Sequence, residues 1–545
     1  MRSLLVAAAL AAALPLFACS RTVQGGATAA DAVQPRAEEA GAADAWWSHV
    51  TALADDSMLG REAGSPQHRK AADYVAAAFR RAGLEPSGGE GYLQPVPLRR
   101  RRVVESRSSV MLVRDGRPEP LVLGTDAAIN LRSTRAGTVD APLVFVGSAL
   151  VAPAAGIDDF EGLDLRGKVA VVMSGTSPRG MDGPALAAAR GAGGAALQGS
   201  GAVGVIGLYP ERSDLPWERY AASRLHPQMR LVHQEPGHGP PTLVAITLSP
   251  AQAARLFTGA PESYARLAAL ADSGAALPRF ELPVRVRATA ALEEDDALSH
   301  NVVGVLPGSD PALRNEFLVL TAHLDHLGTG EPVAGDSIFN GAMDNASGIA
   351  TLIETAAIVA RTTLRPRRSV AFVAVTGEEH GLLGSDAFAE RPPIPGPIVA
   401  DLNTDMYLPI NPLRKLLVNG LEESDLADDV RRAAARVGVE VITDPEPERN
   451  AFVRSDQFSF IRRGIPALSL KVGFSLGTPE HERVLQWRRE RYHGVEDEVT
   501  QPVDRQAATE FNRLYAELVE EVANRPTRPS WYPTSQFRPQ AEGTR

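Results

Sequence analysis

Short runs of apolar residues alternate with longer amphipathic stretches in the C-terminal half of the chain. The runs "NVVGVLP", "FLVLTAH", "RSVAFVAVTG", "PIVADLNTD" and "IPALSLKV" have the length of buried strands. The segment "NASGIATLIETAAIVART" has the length and apolar spacing of a helix. This alternation predicts an α/β fold, a three-layer sandwich with a mostly parallel central sheet. Ligand sites in such sheets lie beyond the carboxyl ends of the strands, so the residues that follow each run are the candidates for function.

A helical pattern occupies the region from Ala45 to about Pro86. One helix in it has clear end signals, because Ser65 suits an N-cap, Pro66 suits the first turn and Gly83 suits the position just past the end. We expect this helix to cover one face of a sheet.

A different pattern fills residues 135–290. The strand-like phrases "APLVFVGSALVAP", "LRGKVAVVMSG" and "GAVGVIGLYP" are separated by Gly, Pro and Asp. They predict a small, separately packed α/β unit inserted into the main domain, and no group of residues in it has the spacing of a catalytic site.

The length of 545 residues is too great for one ordinary core. We predict six parts: a signal peptide 1–18, a flexible tether 19–44, a first part of the main domain 45–134, an insert 135–290, the rest of the main domain 291–525 and a C-terminal tail 526–545. A net charge of -10, with no long basic run, gives no argument for a nucleic-acid partner.

The N-terminus has the pattern of an export signal. Arg2 precedes an apolar stretch from Leu4 to Ala18 that is too short to span a bilayer. The stretch ends "LFAC", and Cys19 is the only cysteine, so an internal disulfide is impossible. "LFAC" resembles the lipobox of bacterial lipoproteins. The resemblance implies a lipid on Cys19 that anchors the protein in the bacterial cell envelope, with no other membrane contact. The alternative is ordinary export to the periplasm or medium.

Carboxylates and imidazoles collect just after the predicted strands. The residues are His323 and Asp325 in "FLVLTAHLDH", Asp344 in "NGAMDNASG", Glu378 and Glu379 in "FVAVTGEE", Asp405 in "ADLNTDM" and His493 in "RYHGVED". Each alone is more typical of a helix cap or a solvated loop, and Asp344 also suits a helix N-terminus. Together, without thiolates, they favour one or more divalent metals of the zinc type.

Five motifs carry a resemblance to a known family. "AHLDH", "NGAMDNASG", "TGEEHGLLGS", "LNTDM" and "YHGVED" occur in the order of the signature blocks of the aminopeptidase Y-like dizinc exopeptidases. The insert resembles the protease-associated domain that many members carry. The resemblance implies the zinc exopeptidase fold, peptide substrates and two zinc ions per chain. It implies these ligands: Asp344 bridging both ions, His323 and Asp405 at one ion, and Glu379 and His493 at the other.

Three further residues have expected catalytic roles. Asp325 lies two residues after His323, on the same face of an extended segment, where its side chain would orient the imidazole. The resemblance implies that Glu378 is the general base and that the hydroxyl of Tyr492 hydrogen-bonds the developing oxyanion.

The chain also departs from the common pattern of the family. A longer loop follows His323 and adds His326 and Asp336, and we interpret His326 as a loop histidine rather than a third-metal or substrate ligand. Where many relatives have "SDH", this chain has "SDQ" at 455–457. Contacts made there by a histidine are therefore in doubt. Arg454, which precedes these residues, suits either a substrate carboxylate or the surface.

Several alternative functions remain. "GFSLG" matches the serine hydrolase elbow around Ser475, but Thr478 and Pro479 interrupt the helix that the elbow must open. A second alternative is a single-zinc glutaminyl cyclase, because such enzymes share the expected fold. A third is a binding protein built on the same scaffold, but such a protein would lack an intact metal site. The favoured prediction is a dizinc aminopeptidase. The sequence leaves open whether the specificity is instead that of a carboxypeptidase or dipeptidase, and it does not give the residue preference or the oligomeric state.

Overall fold

The computed structural model describes residues 37–539, apart from residues 132–133, 174, 176–177, 179–180, 182, 212, 214, 234–243 and 363–364. The predicted signal peptide, Cys19 and most of the predicted tether lie outside the described residues. Within them, no helix combines the length and the apolar character needed to cross a bilayer.

Helices and strands alternate along the described chain. The helices are α1 (Ala37–Leu53), α2 (Pro66–Ala82), α3 (Gly183–Gly199), α4 (Trp217–Ala222), α5 (Pro250–Leu256), α6 (Tyr264–Asp272), α7 (Ser347–Arg361), α8 (Leu383–Glu390), α9 (Leu426–Val437), α10 (Gln457–Ile461), α11 (Pro479–Glu490) and α12 (Arg505–Asn524). The strands are β1 (Glu85–Pro86), β2 (Leu93–Val103), β3 (Ser109–Arg114), β4 (Arg117–Leu121), β5 (Ala127–Ile129), β6 (Gly137–Phe145), β7 (Val151–Ala152), β8 (Ile157–Asp158), β9 (Val169–Met173), β10 (Gly204–Leu208), β11 (Gln228–Leu231), β12 (Val244–Leu248), β13 (Phe280–Ala290), β14 (Leu292–Leu306), β15 (Phe317–His323), β16 (Gly328–Val333), β17 (Asp336–Phe339), β18 (Ser369–Val375), β19 (Ile398–Asn403), β20 (Lys415–Asn419), β21 (Glu440–Ile442) and β22 (Ala467–Val472).

The large sheet has a parallel centre and antiparallel flanks. Its order is β11-β2-β14-β18-β15-β19-β22-β20-β21, with β1 also pairing with β14. The four central strands β18, β15, β19 and β22 are parallel, whereas β2, β14 and β20 join antiparallel. The α/β fold is confirmed, but the prediction of a mostly parallel sheet is wrong for the sheet as a whole. Strand β2 is only half buried. Antiparallel strands can have one face in solvent, whereas parallel strands are normally covered on both faces, so β2 suits an antiparallel flank.

Apolar clusters lie on both faces of the central strands. Leu318 and Leu320 belong to the cluster that includes residues of α1, α2, α7, α9 and α12. Phe317 and Val319 belong to the opposite cluster, which includes residues of α8 and α10. Because successive side chains of a strand alternate between faces, the continuous apolar run of β15 is buried on both sides.

A second sheet is formed by residues 109–290, which we call the second unit. Its order is β4-β3-β13-β6-β9-β10-β12-β5, and it has its own apolar cluster. The predicted boundary between residues 134 and 135 falls inside this sheet, because β3 pairs with β13 through long-range hydrogen bonds that sequence patterns do not reveal. Strand β11 lies within the second unit by sequence, but it pairs with β2 at the edge of the large sheet.

The first two helices confirm one prediction and correct another. The side chain of Ser65 caps α2 by accepting from the N–H of His68, and Gly83 ends it with a φ of 84°. Helix α1 begins at Ala37, so residues 37–44 are not part of a flexible tether. Trp46 and Val50 are fully buried against the main core, and this burial stabilises the helix.

Candidate metal centre and active site

The carboxyl ends of three neighbouring parallel strands bring the predicted ligands together. His323 is the last residue of β15, Glu378 and Glu379 follow β18, and Asp405 follows β19. Strand β15 lies between β18 and β19. The site is therefore at the edge of the sheet where ligands are expected in this class of fold.

Asp344 lies between two groups of side chains. Its Oδ1 is 3.3 Å from His323 Nε2, and that nitrogen is 3.2 Å from Asp405 Oδ1. Its Oδ2 is 3.3 Å from His493 Nε2, and that nitrogen is 3.2 Å from Glu379 Oε2. One carboxylate thus presents each oxygen to a separate group made of an imidazole and a carboxylate. This is the arrangement expected of a ligand that bridges two metal ions.

His326 also belongs to this group, which corrects its interpretation as an ordinary loop histidine. It is fully buried, and its Nδ1 lies 2.8 Å from Glu379 Oε1 and 4.0 Å from Asp344 Oδ2. The loop after it folds back as the hairpin β16-β17, and Asp336 caps that hairpin away from the site by accepting from the N–H of Ile338. The sequence signal was present in "AHLDH", but only the tertiary structure shows that His326 is buried against Glu379.

Asp325 occupies a different position from the one predicted. The imidazole of His323 contacts the backbone oxygen of Asp325, 3.1 Å from Nδ1, and not its carboxylate. The carboxylate Oδ1 accepts a hydrogen bond of 3.2 Å from the backbone N–H of Glu378. The prediction assumed that the strand continues through Asp325, whereas β15 ends at His323. Asp325 therefore holds the backbone of the two glutamates.

The two adjacent glutamates have opposite electrostatic environments. Burial, assisted by the neighbouring carboxylates Asp405 and Glu379, raises the pKa of Glu378 well above its usual range against the attraction of His323. Burial also acts to raise the pKa of Glu379, but His493 and His326 outweigh it and hold this pKa well below its usual range. Glu379 is thus the anion that two imidazoles surround, whereas Glu378 favours a proton.

Tyr492 lies directly against the last predicted ligand. Its ring stacks on the imidazole of His493 with the ring centroids 4.0 Å apart, and burial raises the pKa of its phenol. His493 itself has a φ of 52°, in the left-handed region that non-glycine residues rarely adopt. The backbone oxygen of Tyr492 accepts a hydrogen bond of 2.9 Å from Arg219 of the second unit, which helps to hold this turn.

Two residues that the sequence analysis did not assign hold the loops of the site. The fully buried guanidinium of Arg61 donates to four backbone oxygens, and these are Leu53 O, Leu324 O, Asn340 O and Gly341 O. The carboxylate of Asp497 accepts from the backbone N–H groups of Met343 and Asp344, each at 2.9 Å. "GREAGSP" and "YHGVED" contain these residues, but nothing in either phrase distinguishes them from surface charges.

The "SDQ" segment lies beneath the site. The oxygens of Ser455 and Gln457 accept from Asn403 Nδ2 at 3.0 and 2.7 Å, so Gln457 has a structural contact. Asp456 is fully buried, and burial raises its pKa to about 7, although His323 and Ser385 oppose the rise.

Ser475 does not form the predicted alternative catalytic elbow. Its hydroxyl accepts a hydrogen bond of 2.8 Å from Lys415 Nζ, and α11 begins only at Pro479 with Thr478 as its N-cap. A serine elbow opens its helix directly, so this geometry gives no support to the esterase alternative.

Two cavities meet at the cluster. One, of about 140 Å³, extends past Asp405 beneath β22. The other, of about 1110 Å³, is a cleft between the main domain and the second unit, and residues such as Arg219 and His226 line its far wall. Glu378, Glu379 and His493 line both spaces, so a molecule that enters the cleft reaches the cluster.

The donor set fits zinc. Two of the groups whose ligand atoms lie close enough for one ion are His323 with Asp344 and Asp405, and His326 with Asp344 and Glu379. Neutral imidazoles and carboxylates, without thiolates, are the ligands of catalytic zinc sites in which water or substrate takes the remaining position. Burying this many carboxylates together is costly unless cations compensate them.

Comparisons with known proteins agree with this geometry. Residues 301–519 match the family model described as peptidase family M28. Leupeptin-inactivating enzyme 1 of Streptomyces exfoliatus is 31% identical over 179 residues, which cover 32% of this chain and only 36% of that enzyme.

Two solved structures share the fold over most of their length. An aminopeptidase from Aneurinibacillus sp. strain AM-1 has a TM-score of 0.53 at 18% identity, covering 89% of this chain and 95% of that chain. A peptidase M28 precursor from Shewanella amazonensis has a TM-score of 0.50 at 19% identity, covering 91% and 98%. At these identities the likeness shows the fold alone.

Proposed function

We propose that this chain, whose residues 301–519 match peptidase family M28, is a zinc-dependent exopeptidase that removes N-terminal residues from peptides with two zinc ions per chain. The observation that carries the proposal is the position of Asp344. Its two carboxylate oxygens face two imidazole nitrogens, each at 3.3 Å, that belong to separate groups.

The residues that would hold the two ions divide into two groups. His323 and Asp405 would hold one ion, Glu379 and His493 would hold the other, and Asp344, which lies between the groups, would contribute to both. His326 contacts Oε1 of Glu379, whereas His493 faces Oε2, and we assign His326 the role of orienting this carboxylate. Bound zinc supplies a Lewis acid that lowers the pKa of a water molecule and polarises the scissile carbonyl.

The remaining steps belong to side chains that are not ligands. Glu378 lines both cavities and is not assigned as a ligand, so it would accept a proton from the attacking water and return it to the leaving amine. Burial keeps the phenol of Tyr492 protonated, so it can donate a hydrogen bond to the substrate oxygen as negative charge develops. Asp325 fixes the backbone of Glu378 and acts as a positioning residue.

The second unit limits what reaches the site. His226 Nδ1 lies 2.7 Å from the backbone oxygen of Leu327, and its ring packs edge-on against Phe339 in the loop that follows the ligands. The cleft is therefore roofed by the second unit. We propose that this unit has the role of a protease-associated domain and restricts substrates to chain ends and short peptides.

The decisive experiment counts metal and identifies products. The purified protein is loaded with zinc, and zinc per chain is measured by mass spectrometry. Two ions per chain are expected, whereas one ion with cyclisation of N-terminal glutamine would indicate the glutaminyl cyclase alternative. Treatment with a chelator should abolish hydrolysis and also lower the thermal unfolding temperature, because the buried carboxylates then lose their counter-cations.

Peptides blocked at one end decide which terminus is attacked. An aminopeptidase cleaves peptides with an amidated C-terminus and not peptides with an acetylated N-terminus. The opposite result indicates a carboxypeptidase, and cleavage only of peptides with both ends free indicates a dipeptidase. No hydrolysis of any peptide by the zinc-loaded protein would favour a binding role.

For localisation, we propose export and attachment to the bacterial cell envelope through a lipid on Cys19. The support is the sequence pattern alone. Cys19→Ser should release the protein from the membrane fraction if the lipid is the anchor.

A further inference from the structure

The cavity beneath β22 contains a lysine directly beside the proposed metal centre. This cavity has a volume of about 140 Å³ and is lined by Asp405 on one side and by Lys471 on β22. Ser469 lies two residues before Lys471, hence on the same face of the strand, and it also lines the cavity. The cavity is thus an extension of the site rather than a separate hollow.

Apolar side chains form much of the remaining wall. Met406, Leu408, Phe474 and Val484 line the cavity, and all of them belong to the main core or pack against it. A wall of this kind accommodates the methylene groups of a substrate side chain, whereas Lys471 provides a charged end for it.

Most of the other charges in the cavity are already compensated. Arg488 forms an ion pair with Glu446, with Nη1 and Oε2 2.7 Å apart, and Glu446 also lies 3.7 Å from His481. Asp444 accepts a hydrogen bond of 2.9 Å from the backbone N–H of Glu446, and burial raises its pKa, which disfavours its charge.

Lys471 has no such partner. Among the described residues its side-chain ammonium forms no hydrogen bond and no ion pair within 4.0 Å, and the residue is half-buried. Among the neighbouring charges, that of Asp405 contributes most to favouring the protonated form of Lys471. Bound metal would also attract the Asp405 carboxylate, so this carboxylate would be less available to Lys471. An ammonium that lines a partly apolar cavity and has no protein partner would bind an anionic group of a ligand favourably through a charge-assisted hydrogen bond.

We propose that Lys471 binds a carboxylate of the substrate in this cavity, and that the carboxylate is the side chain of an N-terminal Glu or Asp. This inference rests on the proposed exopeptidase function and names its substrate class. The other source of the same chemistry is the free C-terminal carboxylate of a very short peptide.

The test compares matched peptides and matched lysine variants. Peptides with an amidated C-terminus differ only in their first residue, which is Glu, Gln, Lys or Leu. A second pair, Leu-Ala and Leu-Ala amide, reports on the C-terminal carboxylate. The enzymes are the zinc-loaded wild type, Lys471→Met, Lys471→Arg and the control Lys415→Met. Lys415 lies on the neighbouring strand β20 and contacts Ser475 and Glu440 outside this cavity.

The expected result is a preference for Glu over Gln in kcat/KM of about tenfold or more, the value of a charge-assisted hydrogen bond. Lys471→Met should remove that preference, whereas Lys471→Arg and Lys415→Met should retain it. If Lys471→Met instead lowers the preference for Leu-Ala over its amide, the carboxylate is that of the C-terminus.

Two results would overturn the inference while leaving the exopeptidase in place. One is that Lys471→Met keeps the wild-type preferences for the first residue and for the C-terminal group. The other is that the wild type prefers an N-terminal Lys over Glu, which would indicate that Asp444 rather than Lys471 binds the substrate side chain. Calorimetry with free glutamate and glutamine makes the same comparison without turnover, and equal affinities in the wild type would refute the role of Lys471. Loss of all hydrolysis together with a single zinc ion would instead refute the proposed function.

Discussion

Arg219 of the second unit donates a hydrogen bond of 2.9 Å to the backbone oxygen of Tyr492, the residue before the proposed ligand His493. The same guanidinium donates to Glu490 O at 2.9 Å and lies 3.5 Å from Glu496 Oε2. These contacts surround the turn in which His493 has its positive φ. The second unit therefore supports the metal centre as well as roofing the cleft.

Arg219→Ala should weaken metal binding on the His493 side. Loss of the support behind a metal ligand costs about tenfold or more in affinity. Zinc titration against a chromophoric chelator should show one weakened site and one unchanged site. Arg166→Ala is the matched control, because Arg166 is in the same unit, is 81% exposed and pairs only with Asp164 among the ion pairs of the described residues. Two sites of wild-type affinity in Arg219→Ala would contradict the prediction.

Glu378→Gln and Glu379→Gln should separate chemistry from metal binding. Glu378→Gln removes the group that carries the proton, so kcat should fall by about a hundredfold or more with both zinc ions retained. Glu379→Gln removes a ligand charge that His326 and His493 surround, so zinc content and activity should fall together. Metal analysis and kinetics on the same samples make the comparison, and equal zinc loss in both variants would show that the assignment is wrong.

His326→Ala should lower zinc affinity, although sequence analysis took this residue for a loop histidine. Its Nδ1 is 2.8 Å from Glu379 Oε1, so truncation frees the Glu379 carboxylate to rotate. We expect a loss of about ten- to a hundredfold in the affinity of one zinc ion. His233→Ala is the control, since His233 also contacts a glutamate, Glu390 at 3.1 Å, but is 41% exposed outside the site. The same zinc affinity in both variants would make His326 a packing residue.

Glu62→Gln should stabilise the protein at alkaline pH. Burial raises the pKa of Glu62 from 4.5 to about 7, against the opposing charges of Arg100 and Arg102. Between these values the folded state binds more protons than the unfolded state, so the free energy of unfolding falls as the pH rises through that window. The amide carries no such penalty, and its advantage over wild type should be about 2 kcal/mol larger at about pH 8 than at about pH 5.

Chemical denaturation at the two pH values measures this difference. Glu422→Gln, at an exposed position, serves as the control. An advantage that does not change with pH would mean that Glu62 has an ordinary ionisation in the folded protein.

The sequence by itself determined the elements of the main domain and the chemistry at its strand ends. The apolar runs of β15, β18, β19 and β22 are buried on both faces, so their composition alone identifies them as inner strands. Parallel strands place their carboxyl ends at one edge of the sheet, where ligands bind in this class of fold. The position of His323 at the end of an inner strand therefore predicts that it belongs to the site.

Only the tertiary structure decided which neighbours hold those residues. After the end of β15, His326 contacts Glu379, and the carboxylate of Asp325 meets the backbone of Glu378 instead of the imidazole. The pairing of β3 with β13 sets where the second unit begins, and that unit supplies Arg219. These relations join residues far apart in the chain. Local patterns of polarity record whether a side chain is buried, but they do not record which distant group it meets.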